Sequence, residues 1–258
     1  MVKLKKNSNA KIHFVLILTF FLFISCSHQH YYVTKVEGKQ IGITKESTEV
    51  AAIEYFVKPY RENIDKDLNT VVAYAPETID KTGIWQTPMG NLLADIAFQK
   101  GNVVFKSREN KNIDICLLNS GGIRTIIGKG DITSKTAFEI MPFENKAVVV
   151  ALKGDQILEI VDYFITGKKP HPIAGITFTI SINGPKNILI QGKPIENERV
   201  YYVLTNDYLA NGGDKMVFFK KGIATYDLDY KLRNMIIDYF KETKTIPVIN
   251  DIRISTEN

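Results

Sequence analysis

Arg199-Val-Tyr-Tyr-Val-Leu-Thr-Asn-Asp-Tyr-Leu-Ala-Asn-Gly-Gly-Asp214 is the segment on which the reading of the fold turns. Arg199–Leu204 has the β-branched and aromatic make-up of a strand. The residues from Thr205 onward are polar, with one aromatic, Tyr208, and a Gly-Gly pair. Asn211-Gly212 signals a turn, because both residues tolerate positive φ. Asp214 follows that turn, where a short carboxylate can be aimed at a ligand. Taken alone, the segment reads as a polar hairpin loop with a surface tyrosine.

Working outward, the neighbouring segments alternate between strand and helix patterns. Upstream, Gly175–Ile182 and Asn187–Ile190 read as strands, and Gly154–Phe164 is an amphipathic helix. Ala147–Leu152 and Ile113–Leu118 are continuous apolar runs, expected as buried strands. Pro142–Asn145 is a tight loop. Ser134–Glu139 is a short helix, with Ser134 the expected N-cap. Met89–Gln99 reads as a helix, Pro76–Thr87 as a loop and Thr70–Tyr74 as a strand. Thr48–Leu68 carries apolar residues at helical spacing, with Pro59 weakening its middle. Tyr32–Val36 and Gln40–Thr44 suggest a hairpin through Gly38. Downstream, Leu228–Lys241 reads as a helix and Ile252–Ser255 as a closing strand. With no long linker and no internal repeat, residues 33–258 are expected to form one α+β domain in layers.

The first 25 residues differ from the rest. Lys3, Lys5, Lys6 and Lys11 precede an apolar run from Ile12 to Ile24, and Ser25-Cys26 follows. This is the pattern of an export signal. Phe23-Ile-Ser-Cys26 resembles a bacterial lipobox, although Phe23 stands where leucine is usual. Residues 1–25 are therefore expected to be a lipoprotein signal peptide and Cys26 the lipidation site. Residues 26–32 would be a tether. The mature protein would be exported and held on a bacterial membrane, on its periplasmic or cell-surface side. Loss of the signal lowers the formal charge from +5 to +1, so the basic balance argues no nucleic-acid partner. Cys116 is left without a disulfide partner and is expected to be a buried, inert thiol.

Catalytic equipment is sparse. Of four histidines, His13 leaves with the signal, and His28 and His30 lie on the tether. His171, between Pro170 and Pro172, reads as an exposed loop histidine. No metal-ligand spacing is present. Ser120 follows a buried strand, but no Gly-x-Ser-x-Gly surrounds it, and only His171 could serve as its base. Gly128-Lys-Gly130 is a turn and not a phosphate loop.

The parts that are present suit binding. Phe143 and Tyr208 offer two aromatic faces for a base, Asp214 an acceptor for ribose hydroxyls, Arg124 a fork for phosphate or ribose oxygens, and Asn119 an amide that can read a base edge.

Six stretches, in order, resemble the C-terminal domain of the 5′-nucleotidase family. They are Met89-Gly-Asn-Leu92, Asn119-Ser-Gly-Gly-Ile-Arg124, Gly130-Asp-Ile-Thr133, Pro142-Phe-Glu-Asn145, Leu152-Lys-Gly154 and Thr205–Asp214. The resemblance spans roughly residues 40–256. It implies an α/β/β/α layered, substrate-binding domain. By motif, it implies Phe143 and Tyr208 as the purine-stacking pair, Asn119 as the base-contacting amide, Arg124 near the ribose-phosphate and Asp214 on the ribose. Asn145 joins this set, while Gly121, Gly122, Gly212 and Gly213 are assigned to turns.

Three positions depart from the family pattern. Gly83 stands about where an arginine usually faces the phosphates, with Lys81 a candidate substitute. Pro88 replaces an asparagine. Glu144 replaces a glycine and adds a carboxylate that could repel phosphate or select another ligand. The family's metal-bearing N-terminal half has no counterpart in residues 26–75. The chain is therefore expected to carry no catalytic residue, metal or cofactor and to be inactive alone. Divalent metals would sit only on a separate metallophosphatase chain. The resemblance implies the substrate-recognition half of a split nucleotide phosphohydrolase in nucleotide catabolism. The alternatives are a free-standing nucleoside-binding lipoprotein, or a structural domain that has lost its ligand.

Overall fold

A computed structural model describes residues 8–23, 31–44 and 47–257. Contacts group the chain into two units, Met1–Ala51 and Ala52–Asn258. In the first, α1 spans Ser8–Phe23, and residues 31–44 form no regular structure. The expected hairpin over Tyr32–Thr44 is not formed. Its apolar side chains, Tyr32, Val33, Val36, Ile41 and Ile43, all face solvent, and a two-stranded hairpin without a core is marginal at best. Cys26, His28 and His30 lie outside the described residues. Among the described residues, no helix is long and apolar enough to cross a membrane.

At the junction of the two units α2 (Ala51–Leu68) starts, and it runs through Pro59 without interruption. None of its residues is buried, so its apolar stripe faces no core. β1 (Val71–Ala75) pairs antiparallel with β3 (Gly130–Thr133).

A five-stranded sheet forms the centre. Its order is β10 (Ala224–Lys231), β4 (Lys146–Lys153), β9 (Val200–Asn206), β2 (Ile115–Leu117), β5 (Ile173–Ala174). Only the β9–β2 pair is parallel. A four-stranded sheet orders β11 (Ile254–Thr256), β6 (Ile176–Ser181), β7 (Gly184–Ile190) and β8 (Lys193–Pro194).

The alternation of side chains along each strand sends one set to each face of the central sheet. Cys116, Leu118, Val149 and Leu204 join the cluster under α3 (Pro88–Glu109), α4 (Ser134–Ile140) and α7 (Leu232–Thr243). Ile115, Leu117, Val150 and Val203 join the other cluster, with α5 (Gly154–Gly167) and with Ile176, Phe178 and Ile254 of the smaller sheet. Because both faces are covered, these strands read as continuous apolar runs. The expected layered α/β/β/α arrangement is what the chain adopts. Cys116 is buried without a disulfide, and burial pushes its thiol pKa up, which keeps it inert.

Several boundaries differ from the pattern reading. Helix α3 continues ten residues past Gln99 to Glu109. Gly101 does not stop it, because the glycine lies against Leu204: a Cβ there would sit 2.0 Å from Leu204 Cδ1. Pro88 occupies the first turn of α3, where its missing N–H costs nothing, and Thr87 caps the end by accepting from Gly90 N at 2.9 Å. Thr133, not Ser134, caps α4; its amide donates to Thr136 Oγ1 at 3.2 Å. Leu228–Lys231 is strand rather than helix. Leu228 is buried from β10, and the helix starts only at Leu232.

Candidate functional site

Three loops form the site: Pro142–Asn145, just before β4, and two that leave the ends of central strands. The first of these two leaves β2 at Leu117 and winds into a 3₁₀ turn over Ser120–Gly122, with Asn119 at its N-cap. The second leaves β9. It is not the hairpin loop that its turn chemistry suggested, because β9 is flanked by β4 and β2 and never pairs with β10. Instead Asn206 caps a single helical turn, α6 (Asp207–Ala210), by accepting from Leu209 N at 2.8 Å. Gly212, with φ of 84°, then reverses the chain into a 3₁₀ turn at Gly213–Lys215.

Asn119, Gly121, Gly122, Phe143, Asn145, Tyr208 and Asp214 line one cavity of about 310 Å³. Residues from three separate loops thus meet around a common space. Phe143 is 41% exposed and Tyr208 47%, so neither ring fills the core. Arg124 is not among the lining residues. Its guanidinium lies over the Phe143 ring, 5.8 Å from the centroid, and Nη1 donates to Gly121 O at 3.3 Å. Gly212 and Gly213 shape the wall without lining it. Gly213 does more than turn: a Cβ there would lie 2.5 Å from the Tyr208 ring, so only glycine lets the tyrosine pack flat.

Asp214 has φ of 51°, a left-handed conformation uncommon outside glycine, asparagine and aspartate. Bonds on both sides hold it there. Tyr208 Oη donates to Asp214 Oδ1 at 2.9 Å and accepts from Asp214 N at 3.1 Å. Tyr163 Oη donates to Asp214 O at 2.9 Å. Asn119 is tied to the second loop through Asn206, whose Nδ2 donates to Asn119 Oδ1 at 3.4 Å.

Glu144 does not stand over the cavity as a repelling charge. Its carboxylate pairs with Lys231 and Arg233, and these two cations hold its pKa down at about 2. Lys81 reaches the first loop, donating to Ile123 O at 3.3 Å. A second cavity, of about 630 Å³, shares Gly121 and Asp214 with the first and is also lined by Ser120, Tyr163, Lys169 and His171.

His171 is buried, contrary to its exposed loop reading. Only 3% of it is accessible, and its ring packs against Tyr163 and Phe164. Its Nδ1 accepts from Ser120 N at 3.2 Å. Burial, aided by Lys169 and opposed by Asp214, lowers its pKa to about 4, so the ring is neutral at physiological pH. Tyr163, His171, Asn206 and Arg233 were not singled out as site residues from the sequence. A cap signal marks Asn206 before a helical turn. The other three act across 51 to 90 residues and leave no local trace.

Among the described residues, no group of three or more His, Cys, Asp or Glu side chains could hold a metal ion. The residues around the cavity do not fit a two-metal centre. They can stack, accept and donate.

The family profile for the 5′-nucleotidase, C-terminal domain, matches residues 70–221, more than half of the chain. The chain belongs to this family. A 5′-nucleotidase of Vibrio cholerae is 26% identical over 188 residues, which cover 69% of this chain and 32% of that protein. The mouse 5′-nucleotidase is 25% identical over 236 residues, 81% of this chain and 41% of that protein. Among solved structures, a 5′-nucleotidase precursor from Thermus thermophilus superposes with a TM-score of 0.65 at 25% identity, over 80% of this chain and 44% of that one. The NAD nucleotidase of Haemophilus influenzae shares the fold, with a TM-score of 0.63 at 16% identity over 81% of this chain and 42% of that one. The chain spans about a third of the length of the first curated relatives it matches. All six of the family-like stretches, from Met89 to Asp214, lie within residues 70–221.

Proposed function

We propose that the cavity between Phe143 and Tyr208 binds a nucleoside or nucleotide, and that the chain is the substrate-recognition half of a nucleotide phosphohydrolase. The two rings sandwich the base, Asn119 and Asn145 meet its edge, Asp214 accepts from the ribose, and Arg124 beside Phe143 is placed for the phosphate end. The observation that carries this reading is convergence. Residues from three loops, chosen for nucleoside chemistry, line a single cavity. On this reading hydrolysis needs divalent metals held by a metallophosphatase on a separate chain, and the pair serves nucleotide catabolism. The mature protein is exported and anchored through a lipid on Cys26.

Calorimetry of the mature protein with adenosine, AMP and related compounds tests the binding. The Phe143→Ala, Tyr208→Ala double variant should keep its fold and lose at least tenfold in affinity, since each stacked base contributes about 1–3 kcal/mol. No heat of binding with any nucleoside or nucleotide would sink the proposal. Adding a family metallophosphatase domain should raise AMP hydrolysis above that of the domain alone.

A further inference from the structure

Two aromatic residues that the nucleoside reading does not use line the adjacent, larger cavity. Tyr163 stands on α5, and His171 lies just before β5. Their rings are 5.4 Å apart and inclined at 44°. Both are fixed from behind: His171 meets Phe164 edge-on at 5.7 Å, and Tyr163 meets Phe218 edge-on at 5.8 Å.

Each ring extends one hydrogen bond forward, and the two bonds reach different walls of the cavity. His171 Nδ1 takes the Ser120 amide at 3.2 Å, in the loop that carries Asn119, Gly121 and Gly122. Tyr163 Oη gives to the Asp214 carbonyl at 2.9 Å, on the wall where Asp214 holds Tyr208. These walls are far apart in sequence, and the long Asn206–Asn119 bond at 3.4 Å is a thin direct link between them.

We propose that Tyr163 and His171 form a positioning brace that sets the spacing between the base-reading wall and the ribose-side wall of the cavity. The proposal rests on the nucleoside reading of that cavity. The histidine suits the task because it is neutral: its Nδ1 is a lone-pair acceptor for the amide. A tyrosine suits the other because its ring stays in the apolar layer while its hydroxyl reaches a backbone carbonyl. Asp214 gains from such support, since its backbone is held in the left-handed region.

The test uses the full chain and three variants, Tyr163→Phe, His171→Leu and His171→Asn. Calorimetry reads adenosine and free adenine, and NMR amide exchange reads Ser120 without ligand. Tyr163→Phe frees the wall that carries Asp214 and Tyr208, so adenosine, which meets both, should weaken about fivefold, one ordinary hydrogen bond's share, and adenine, which meets only the Tyr208 ring, should weaken less. His171→Leu frees the base-reading loop, so both ligands should weaken about fivefold and the Ser120 amide should exchange faster. His171→Asn places an acceptor near the Nδ1 position and should restore both.

Wild-type affinities in Tyr163→Phe and His171→Leu would overturn the brace. So would equal loss of adenosine and adenine in Tyr163→Phe, accompanied by a lower melting temperature. If His171→Leu fails to fold, the adenosine–adenine split in Tyr163→Phe decides alone. Should the wild type bind no nucleoside, the nucleoside reading fails by itself. Ser120 exchange then decides the brace: unchanged exchange in His171→Leu refutes it, and faster exchange rescued by His171→Asn supports it.

Discussion

His171 couples the site to stability through a proton. Its folded pKa is about 4, while an unperturbed histidine titrates near 6.5. Between those values the unfolded chain holds a proton that the folded chain lacks, so stability rises with pH across that window. The contribution is complete above about pH 6.5 and is lost as the pH falls toward 4. A shift of this size corresponds to at most about 3 kcal/mol. Other groups act in different windows or directions. Glu144, held at about 2 by Lys231 and Arg233, contributes above the ordinary carboxylate range and is lost only as the pH falls through 2. Asp95 and Asp114, raised by burial, oppose the histidine near pH 4. The informative measurement is therefore a difference. Urea denaturation at pH 7 and pH 4.5 should show a smaller loss of stability in His171→Asn than in wild type. Parallel losses would mean that His171 titrates normally in the folded chain.

At the scale of elements, Arg233 joins three of them. The side chain is buried in the first turn of α7, and its guanidinium lies 4.2 Å from the Phe138 ring centroid on α4. Nη1 donates to Phe143 O at 3.4 Å, Nη2 pairs with Glu144, and Leu232 N donates to Asn145 O at 3.1 Å. The Pro142–Asn145 loop, and with it the Phe143 wall, is thus hung from α7. Arg233→Ala should lower stability by about 2 kcal/mol in urea and also weaken adenosine binding. Glu144→Gln should do less to stability, because that carboxylate is exposed. An Arg233→Ala variant with wild-type affinity would separate the loop's position from this anchor.

The same elements show what the sequence could reveal. Ile113–Leu118 and Ala147–Leu152 were legible as buried strands because both faces of the central sheet are covered, which makes apolar runs unbroken. The site loops were legible because Asn119, Phe143, Tyr208 and Asp214 sit in short motifs with their own chemistry. Arg233, Tyr163 and His171 were not, since each acts on a residue 51 to 90 positions away. Local pattern also failed where two structures fit it equally. Leu228–Lys231 has apolar spacing compatible with the helix that follows, and only pairing of β10 with β4 makes it strand. The 205–214 stretch has hairpin turn residues, but β4 and β2 already occupy both edges of β9 and leave none for a hairpin partner.

For the molecule as a whole, the decisive boundary is Asn69. No residue of α2 is buried, and the profile match begins at residue 70. From β1 onward the chain is committed to the core. Val72, Ala73 and Ala75 are buried, β1 pairs with β3, and Tyr74 exchanges backbone bonds with Lys244 and Ile246 beyond α7. No side chain of α2 belongs to either cluster, so α2 offers the fold little hydrophobic stabilisation. A chain starting at Asn69 should melt within about 2 °C of the full chain and bind adenosine equally well. If Cys26 is the anchor, the same chain should leave the membrane fraction. Cutting further, to residue 76, removes β1 and should lower the melting temperature by roughly 5 °C or more, because three buried side chains and a pairing edge go with it. A large drop already at Asn69 would show that α2 supports the domain by contacts its exposed face does not reveal, and would move the boundary of the folded unit upstream.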